Sequence, residues 1–174
     1  MMSNRNIIYF TIFILLILII AGCGKKPVKQ DDSANGQNIK QIKIYQANKD
    51  ATYLVPETHS VPVDEYSAQT ALKLLISGTD NPEHIAIIPA GTEVIGVEVG
   101  DQIAYADFNE KIKSNNPGGS SYEMLMVAAI VNTLTEFPEI QQVVILINGK
   151  QVDSITGHVD TSRPLSRSEK IIAQ

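Results

Sequence analysis

The sequence predicts an α+β fold: one small domain whose mainly antiparallel sheet is built from hairpins and carries two helices on one face. Two observations lead to this prediction. Three pairs of stretches alternate apolar and polar residues around a turn signal, and two stretches between them repeat apolar residues at the helical period. The predicted order is ββ-α-ββ-α-ββ. Because hairpin strands are antiparallel neighbours and each helix needs an apolar surface to cover, one sheet with both helices on one side is the simplest arrangement.

The first hairpin is predicted at the start of the domain. Ile42 and Ile44 alternate with polar residues, and residues 48–50 supply a turn before the pattern resumes. Pro56 either ends the second strand or confines it to a sheet edge, because proline cannot donate a ladder hydrogen bond.

A helix is predicted after this hairpin, with Asp64 or Ser67 as its N-cap and Gly78 as a left-handed residue at its C-terminal end. The spacing i, i+3, i+4, i+7 defines its apolar stripe, which consists of Ala68, Ala71, Leu72 and Leu75.

The second hairpin has Gly100-Asp101 as its predicted two-residue connection. A Pro-Gly-Gly sequence then leads into a second helix. Ser120 and Glu123 fit a capping box, in which the serine hydroxyl accepts from the Glu123 amide and the carboxylate accepts from the Ser120 amide. The main apolar face of this helix comprises Tyr122, Met126, Ala129, Ile130, Thr133, Leu134 and Phe137.

Met124, Val127 and Val131 extend the apolar surface of this second helix beyond its main face. A helix that is apolar over so much of its circumference is usually well buried. Two interpretations follow: the helix is inserted between the sheet and the first helix, or this edge contacts a partner.

The last hairpin is predicted at Asn148-Gly149, a sequence typical of a type I′ turn. Residues 39–165 therefore form the predicted domain, and residues 166–174 are predicted to be a short polar tail.

The N-terminal residues predict export and lipid anchoring. Arg5 precedes an apolar run that ends in Ile20-Ala21-Gly22-Cys23, and these four residues resemble a bacterial lipobox. Residues 1–22 are then a signal peptide, Cys23 carries the lipid, and residues 23–38 form a flexible linker. The alternative is an uncleaved anchor helix with an incidental cysteine. Cys23 is the single cysteine of the chain, which favours the lipoprotein interpretation. A lipoprotein of this kind would hold the domain on the outer face of the cell membrane.

Composition argues against a nucleic-acid partner. The chain has 14 basic and 19 acidic residues, a net charge of −5 and no tryptophan, so it lacks the basic footprint of such proteins. His59, His84 and His158 are widely spaced and outside any ligand motif, so we predict neither a metal nor another cofactor.

Several residues could be interpreted as chemically active. His158 and Asp160, with Ser162 nearby, would suggest a hydrolytic set, but sequence neighbours rarely supply catalytic geometry, and we predict no catalytic residue. Gly118 and Gly119 precede a helix and resemble an anion-binding nest, but no lysine follows them and the predicted capping box uses the same amides, so a flexible entry to a capped helix is the favoured explanation. Asp107 could brace this loop, and the corner formed by these residues could contact a partner.

Five segments together resemble the sporulation and germination domain family called GerMN. They are residues 72–79, residues 88–109, residues 117–123, residues 131–152 and residues 157–160. The string NTLTEF, which begins at Asn132, followed by the hairpin at Gly149, makes the resemblance specific. It covers about residues 40–165.

This resemblance implies a non-catalytic interaction domain that assembles with other sporulation or envelope proteins, or with itself, at the membrane of the developing spore or during germination. It also implies a fold similar to the ring-building modules of secretion and sporulation complexes. Family members often carry two copies of the domain, whereas this chain has one.

Three functions compete at this stage. A lipid-anchored scaffold is favoured by the lipobox and the resemblance. A module that binds cell-wall glycan or a peptide is the alternative, although few aromatic residues are present to form a sugar platform. An enzyme would need a pocket that gathers His158, Asp160 and Asp107.

Overall fold

The computed structural model describes residues 38–173. The predicted signal peptide, Cys23 and all of the predicted linker except Asn38 lie outside the described residues.

The first hairpin forms as predicted and belongs to a three-stranded sheet. Strand β1 (Ile39–Asn48) pairs antiparallel with β2 (Leu54–Pro62), and the short β3 (His84–Ile85) lies on the other side of β1. Pro56 lies within β2 opposite Tyr45. Because β2 is an edge strand, this proline is tolerated there.

Helix α1 (Ala68–Ser77) begins and ends as predicted. The Ser67 hydroxyl accepts from the Thr70 amide at 3.1 Å, and Gly78 follows the helix with φ 89°. The cap and the glycine thus satisfy backbone groups that the helix itself leaves free.

A second sheet contains the remaining strands, in the order β4-β5-β6-β7, with β8 also paired to β6. The turn between β4 and β5 is Asp101-Gln102, with φ 51° and 65°, so the predicted connection Gly100-Asp101 is wrong by one residue. The type I′ turn at Asn148-Gly149 is present, with φ 51° and 74°. The strands are β4 (Val94–Gly100), β5 (Ile103–Phe108), β6 (Gln142–Ile147), β7 (Lys150–Gln151) and β8 (Leu165–Ser166).

The α+β class is confirmed, but there are two sheets rather than one, and β5 pairs with β6 in parallel. A parallel pair needs a long crossover, and here it contains α2 (Lys111–Ser114) and α3 (Ser120–Leu134). Helix α3 contacts α1, β1, β6 and β8, and ten of its residues are buried. Since α1 also contacts β1, the two helices lie side by side on the first sheet, and the predicted insertion of α3 between the sheet and the first helix is wrong.

The predicted polar tail is wrong, because residues 165–173, here called the C-terminal segment, pack on the domain. Leu165 and Ser166 pair with β6, and Ile172 forms a bridge to Leu54 at the start of β2. The Ala173 amide donates to the Leu54 carbonyl at 2.8 Å. Hydrogen bonds to distant strands, which local polarity does not reveal, hold this segment in place.

Candidate functional site

Glu123 lies in the first turn of α3 with its side chain fully buried against the loop 154–158. Its carboxylate accepts from the hydroxyls of Ser154 and Thr156 at 2.8 and 2.6 Å, and from the amides of Ile155, Thr156 and His158 at 2.8–3.0 Å. His158 Nδ1 lies 3.1 Å away. Burial acts to raise the pKa of Glu123, but hydrogen bonds from Thr156, Ser154 and His158 outweigh it and lower the pKa from 4.5 to about 2.

The predicted capping box of Ser120 and Glu123 is therefore wrong. Gly119 occupies the N-cap position, no side chain caps α3, and the Glu123 amide donates to the Gly119 carbonyl at 3.0 Å. The carboxylate turns inward because the loop 154–158 offers it several donors, whereas the Ser120 amide would offer one. Glu123 joins two distant parts of the chain instead of closing one helix turn.

Asp107 does not brace the glycine loop before α3. Its carboxylate accepts from the Gly149 amide at 2.9 Å and so fixes the turn between β6 and β7. Gly118 and Gly119 have φ 82° and 99°, and the Gly118 amide donates to Asn116 Oδ1 at 2.9 Å. None of these hydrogen bonds joins Asp107 to Gly118 or Gly119, so they do not hold the proposed corner together.

Asp160 also has a local role. It accepts from the amide and hydroxyl of Ser162 and from Arg163 at 3.3 Å, all within three residues. Asp107, Asp160 and His158 each bind different partners, so the described residues show no hydrogen bond that would assemble them into a catalytic set.

Asn132 holds the C-terminal segment against α3. It is fully buried, its amide nitrogen donates to the Ser168 carbonyl at 2.9 Å, and its oxygen accepts from the Ser168 amide at 3.0 Å. The side chain thus pairs with a backbone as a neighbouring strand would. Its position in the family string gave no sign of this role.

A polar network that the sequence did not predict lies beside this contact. The Tyr45 hydroxyl donates to Glu136 at 2.6 Å, and Arg167 donates to the Tyr45 hydroxyl at 2.6 Å and pairs with Glu136 at 2.9 Å. Lys43 pairs with the other Glu136 oxygen at 3.0 Å. Burial and the hydrogen bond to Glu136 raise the pKa of Tyr45 to about 12. The network joins β1, the end of α3 and the C-terminal segment.

The Glu57 carboxylate lies beside two histidines. His84 Nδ1 lies 2.5 Å from one Glu57 oxygen, and His59 Nε2 lies 3.7 Å from the other. Over residues 38–173, no group of three or more histidine, cysteine or acidic side chains is arranged to hold a metal ion. The same part of the chain contains no helix that is both long and apolar enough to span a bilayer.

The apolar edge of α3 borders an open cleft of about 440 Å³. Met124 is half exposed, whereas Val127 and Val131 are buried. The opposite wall comes from the C-terminal segment, with Leu165 and Ile171. The cleft is lined by Thr52, Met124, Val127, Ala128, Val131, Val159, Leu165, Ser166, Ser168, Lys170 and Ile171.

Residues 43–153 match the family described as "Germane: Sporulation and spore germination". Among curated proteins, the chain is similar to the spore germination protein GerM of Bacillus subtilis (strain 168), with 28% identity over 153 residues. That alignment covers 84% of this chain and 40% of GerM. The chain therefore spans less than half the length of this relative.

Solved structures show the same fold. The first GerMN domain of the Bacillus subtilis sporulation protein GerM is 30% identical with a TM-score of 0.63, covering 74% of this chain and 98% of that one. Its tandem GerMN domains give 28% and 0.62, with coverage of 74% and 46%. A putative lipoprotein from Clostridium perfringens is 24% identical with a TM-score of 0.55 and coverage of 74% and 87%, which shows the fold alone. Since the family match spans more than half of the sequence, and the fold agrees with it, this chain belongs to the Germane (GerMN) family of sporulation and spore germination proteins.

Proposed function

We propose that this protein is a lipid-anchored, non-catalytic scaffold that binds other proteins on the outer face of the membrane during sporulation or germination. Family membership supports the sporulation or germination role, because GerM is a spore germination protein. The lipobox-like sequence ending at Cys23 supports the anchor, and two acyl chains on this residue would give stable membrane attachment.

The proposal that the protein is non-catalytic rests on its acidic side chains, which form hydrogen bonds within the domain. Both carboxylate oxygens of Glu123 accept hydrogen bonds from the loop 154–158, and one oxygen of Asp107 accepts a hydrogen bond from the Gly149 amide. A general base must instead reach a substrate proton. A domain whose acids hold its own loops is suited to presenting a rigid surface, which is what a scaffold requires.

The aromatic residues give the glycan-binding alternative little support. Tyr45 is buried in the polar network, and Tyr66 packs against Phe137 with 5.1 Å between ring centroids and the ring planes tilted by 45°. Tyr53 and Tyr105, which are about two-fifths exposed, lie just before β2 and on β5 respectively, in different sheets. Cell-wall binding is therefore the alternative that the crosslinking experiment below distinguishes from the scaffold role.

The anchor is tested by substituting Cys23→Ala in the full chain, with Ser33→Ala in the predicted linker as the matched control. In a spore-forming host, the parent and the control should incorporate labelled palmitate and fractionate with membranes, whereas Cys23→Ala should do neither. Equal labelling of all three proteins would contradict lipidation at Cys23.

The scaffold role is tested by crosslinking the tagged, anchored chain in vegetative and sporulating cells. The proposal expects specific envelope proteins, or the chain itself, to be captured in sporulating cells. Capture of wall fragments alone would support the glycan-binding alternative instead.

A further inference from the structure

The cleft beside α3 has the dimensions of a short helix-binding groove. Met124, Val127, Ala128 and Val131 stand at positions i, i+3, i+4 and i+7 along one wall. Seven residues of helix rise about 10 Å, so this wall is two turns long. Grooves that hold an amphipathic helix contact its apolar residues at the same spacing.

The opposite wall adds one charge to this apolar groove. Leu165 and Ile171 face the cleft, and Lys170, which is exposed, is the single ionisable residue among the described ones that line it. Lys170 forms no ion pair with any residue in 38–173. In a chain of net charge −5, the groove therefore carries at its edge a positive charge that no acid of residues 38–173 neutralises.

We propose that this cleft binds an amphipathic helix of a partner protein, whose apolar residues at i, i+3 or i+4 and i+7 pack against α3 and whose carboxylate pairs with Lys170. The inference rests on the proposed scaffold function and names its docking site. Met124 suits this role because a flexible thioether adapts to the shape of an incoming side chain. A hydrocarbon ligand fits less well, because small-molecule sites enclose most of the ligand surface and this cleft is open.

Within residues 38–173, a second copy of the chain offers no α-helix of the required kind. Among the described helices, α1 carries Lys73 as its single charged residue, and α2 contains two lysines and no acid. Glu123, the acid of α3, is fully buried. Charge complementarity with Lys170 therefore favours a different protein.

The test places the photo-crosslinker p-benzoylphenylalanine at Met124 of the full chain in sporulating cells. Val99 on β4 receives it in the control strain, because its exposed fraction of 46% matches the 49% of Met124. Mass spectrometry identifies the crosslinked peptide. The proposal expects the Met124 position to capture a sequence with the stated apolar spacing and an aspartate or glutamate.

A synthetic peptide of the captured sequence is then titrated against the purified full chain. Met124→Glu should weaken binding about tenfold, because it places a charge against the apolar face. Lys170→Glu should weaken it about threefold or more, and exchanging the peptide acid for lysine should restore affinity. Val99→Glu and Lys150→Glu, at exposed sites outside the cleft, should leave the affinity unchanged.

Crosslinks from Met124 to a second copy or to lipid would overturn the proposal. The same holds if the peptide binds the Met124→Glu and Lys170→Glu variants as tightly as it binds the parent chain. If Val99 captures a partner and Met124 does not, the docking site is wrong while the scaffold function stands. If neither position captures a protein, both proposals fail.

Discussion

Replacing Glu123 with glutamine should destabilise the domain, because Glu123 connects α3 to the loop 154–158. The carboxylate accepts hydrogen bonds from Ser154, Ile155, Thr156 and His158. An amide of the same shape retains one acceptor oxygen and turns an NH₂ group toward donors that previously faced the other oxygen. Because the side chain at this position is fully buried, water cannot easily replace the acceptor that these donors lose.

The pKa of Glu123 sets the size of this effect. It falls from 4.5 to about 2 on folding. At about 1.4 kcal/mol for each pKa unit, ionised Glu123 contributes about 3 kcal/mol to the free energy of unfolding at neutral pH. This is a large part of the ~5–15 kcal/mol that stabilises a typical domain.

The sign of the pH dependence follows from the lowered pKa. The contribution is fully present above the unfolded pKa of 4.5 and is lost as the pH falls toward 2. The stability difference between the parent and Glu123→Gln should therefore shrink by about 2 kcal/mol between pH 7 and about pH 3.

Urea unfolding followed by far-ultraviolet circular dichroism measures both quantities. Glu139→Gln is the matched control, because Glu139 is exposed and should change stability by less than about 0.5 kcal/mol. A loss below about 1 kcal/mol for Glu123→Gln at pH 7, or a difference that stays constant down to pH 3, would refute the assignment of Glu123 as an ionised link between α3 and the loop.

Two further substitutions test the contacts around α3. Asn132→Ala removes both hydrogen bonds to the Ser168 backbone and should cost about 2 kcal/mol; limited proteolysis should then cut the C-terminal segment faster, and an unchanged cleavage rate would contradict its attachment by Asn132. Gly119→Ala should cost about 1 kcal/mol in a thermal unfolding assay, because φ is 99° there although a Cβ would meet open space. Gly100→Ala, also in open space but without a positive φ, is its control, and equal losses would show that φ is not the cause.

Local signals predicted the elements that local residues determine. The turn at Asn148-Gly149 and the cap at Ser67 each depend on residues within three positions, and both are present. The turn after β4 was misplaced by one residue, because Gly100 tolerates a positive φ whereas Asp101 and Gln102 actually adopt it. A glycine can adopt a positive φ at little cost, but its presence in a turn does not require it to do so.

Features that depend on distant residues were missed. The sequence of Ser120 and Glu123 fits a capping box, but the competing donors lie 31–35 residues further along the chain. The parallel pairing of β5 with β6 likewise has no local turn signal, since it is made across α2 and α3. The composition of the C-terminal segment predicts a polar tail because its attachment depends on partners far away in the sequence: Asn132 binds the Ser168 backbone, and Leu165, Ile171 and Ile172 pack against the core.

The string NTLTEF, on which the family resemblance most depends, is used by the fold. The Thr133 hydroxyl accepts from the Tyr45 amide at 3.1 Å, Glu136 binds the other members of the polar network, and Phe137 packs against Tyr66. Residues with such internal partners can identify a fold without contacting anything outside it. If the protein is a scaffold as proposed, we expect its partner choice to depend on residues outside the string, since function resides in sites that a fold presents rather than in the fold itself. Under the docking proposal, Lys170, which lies beyond the matched residues 43–153, would distinguish the partner of this protein from those of proteins with the same fold.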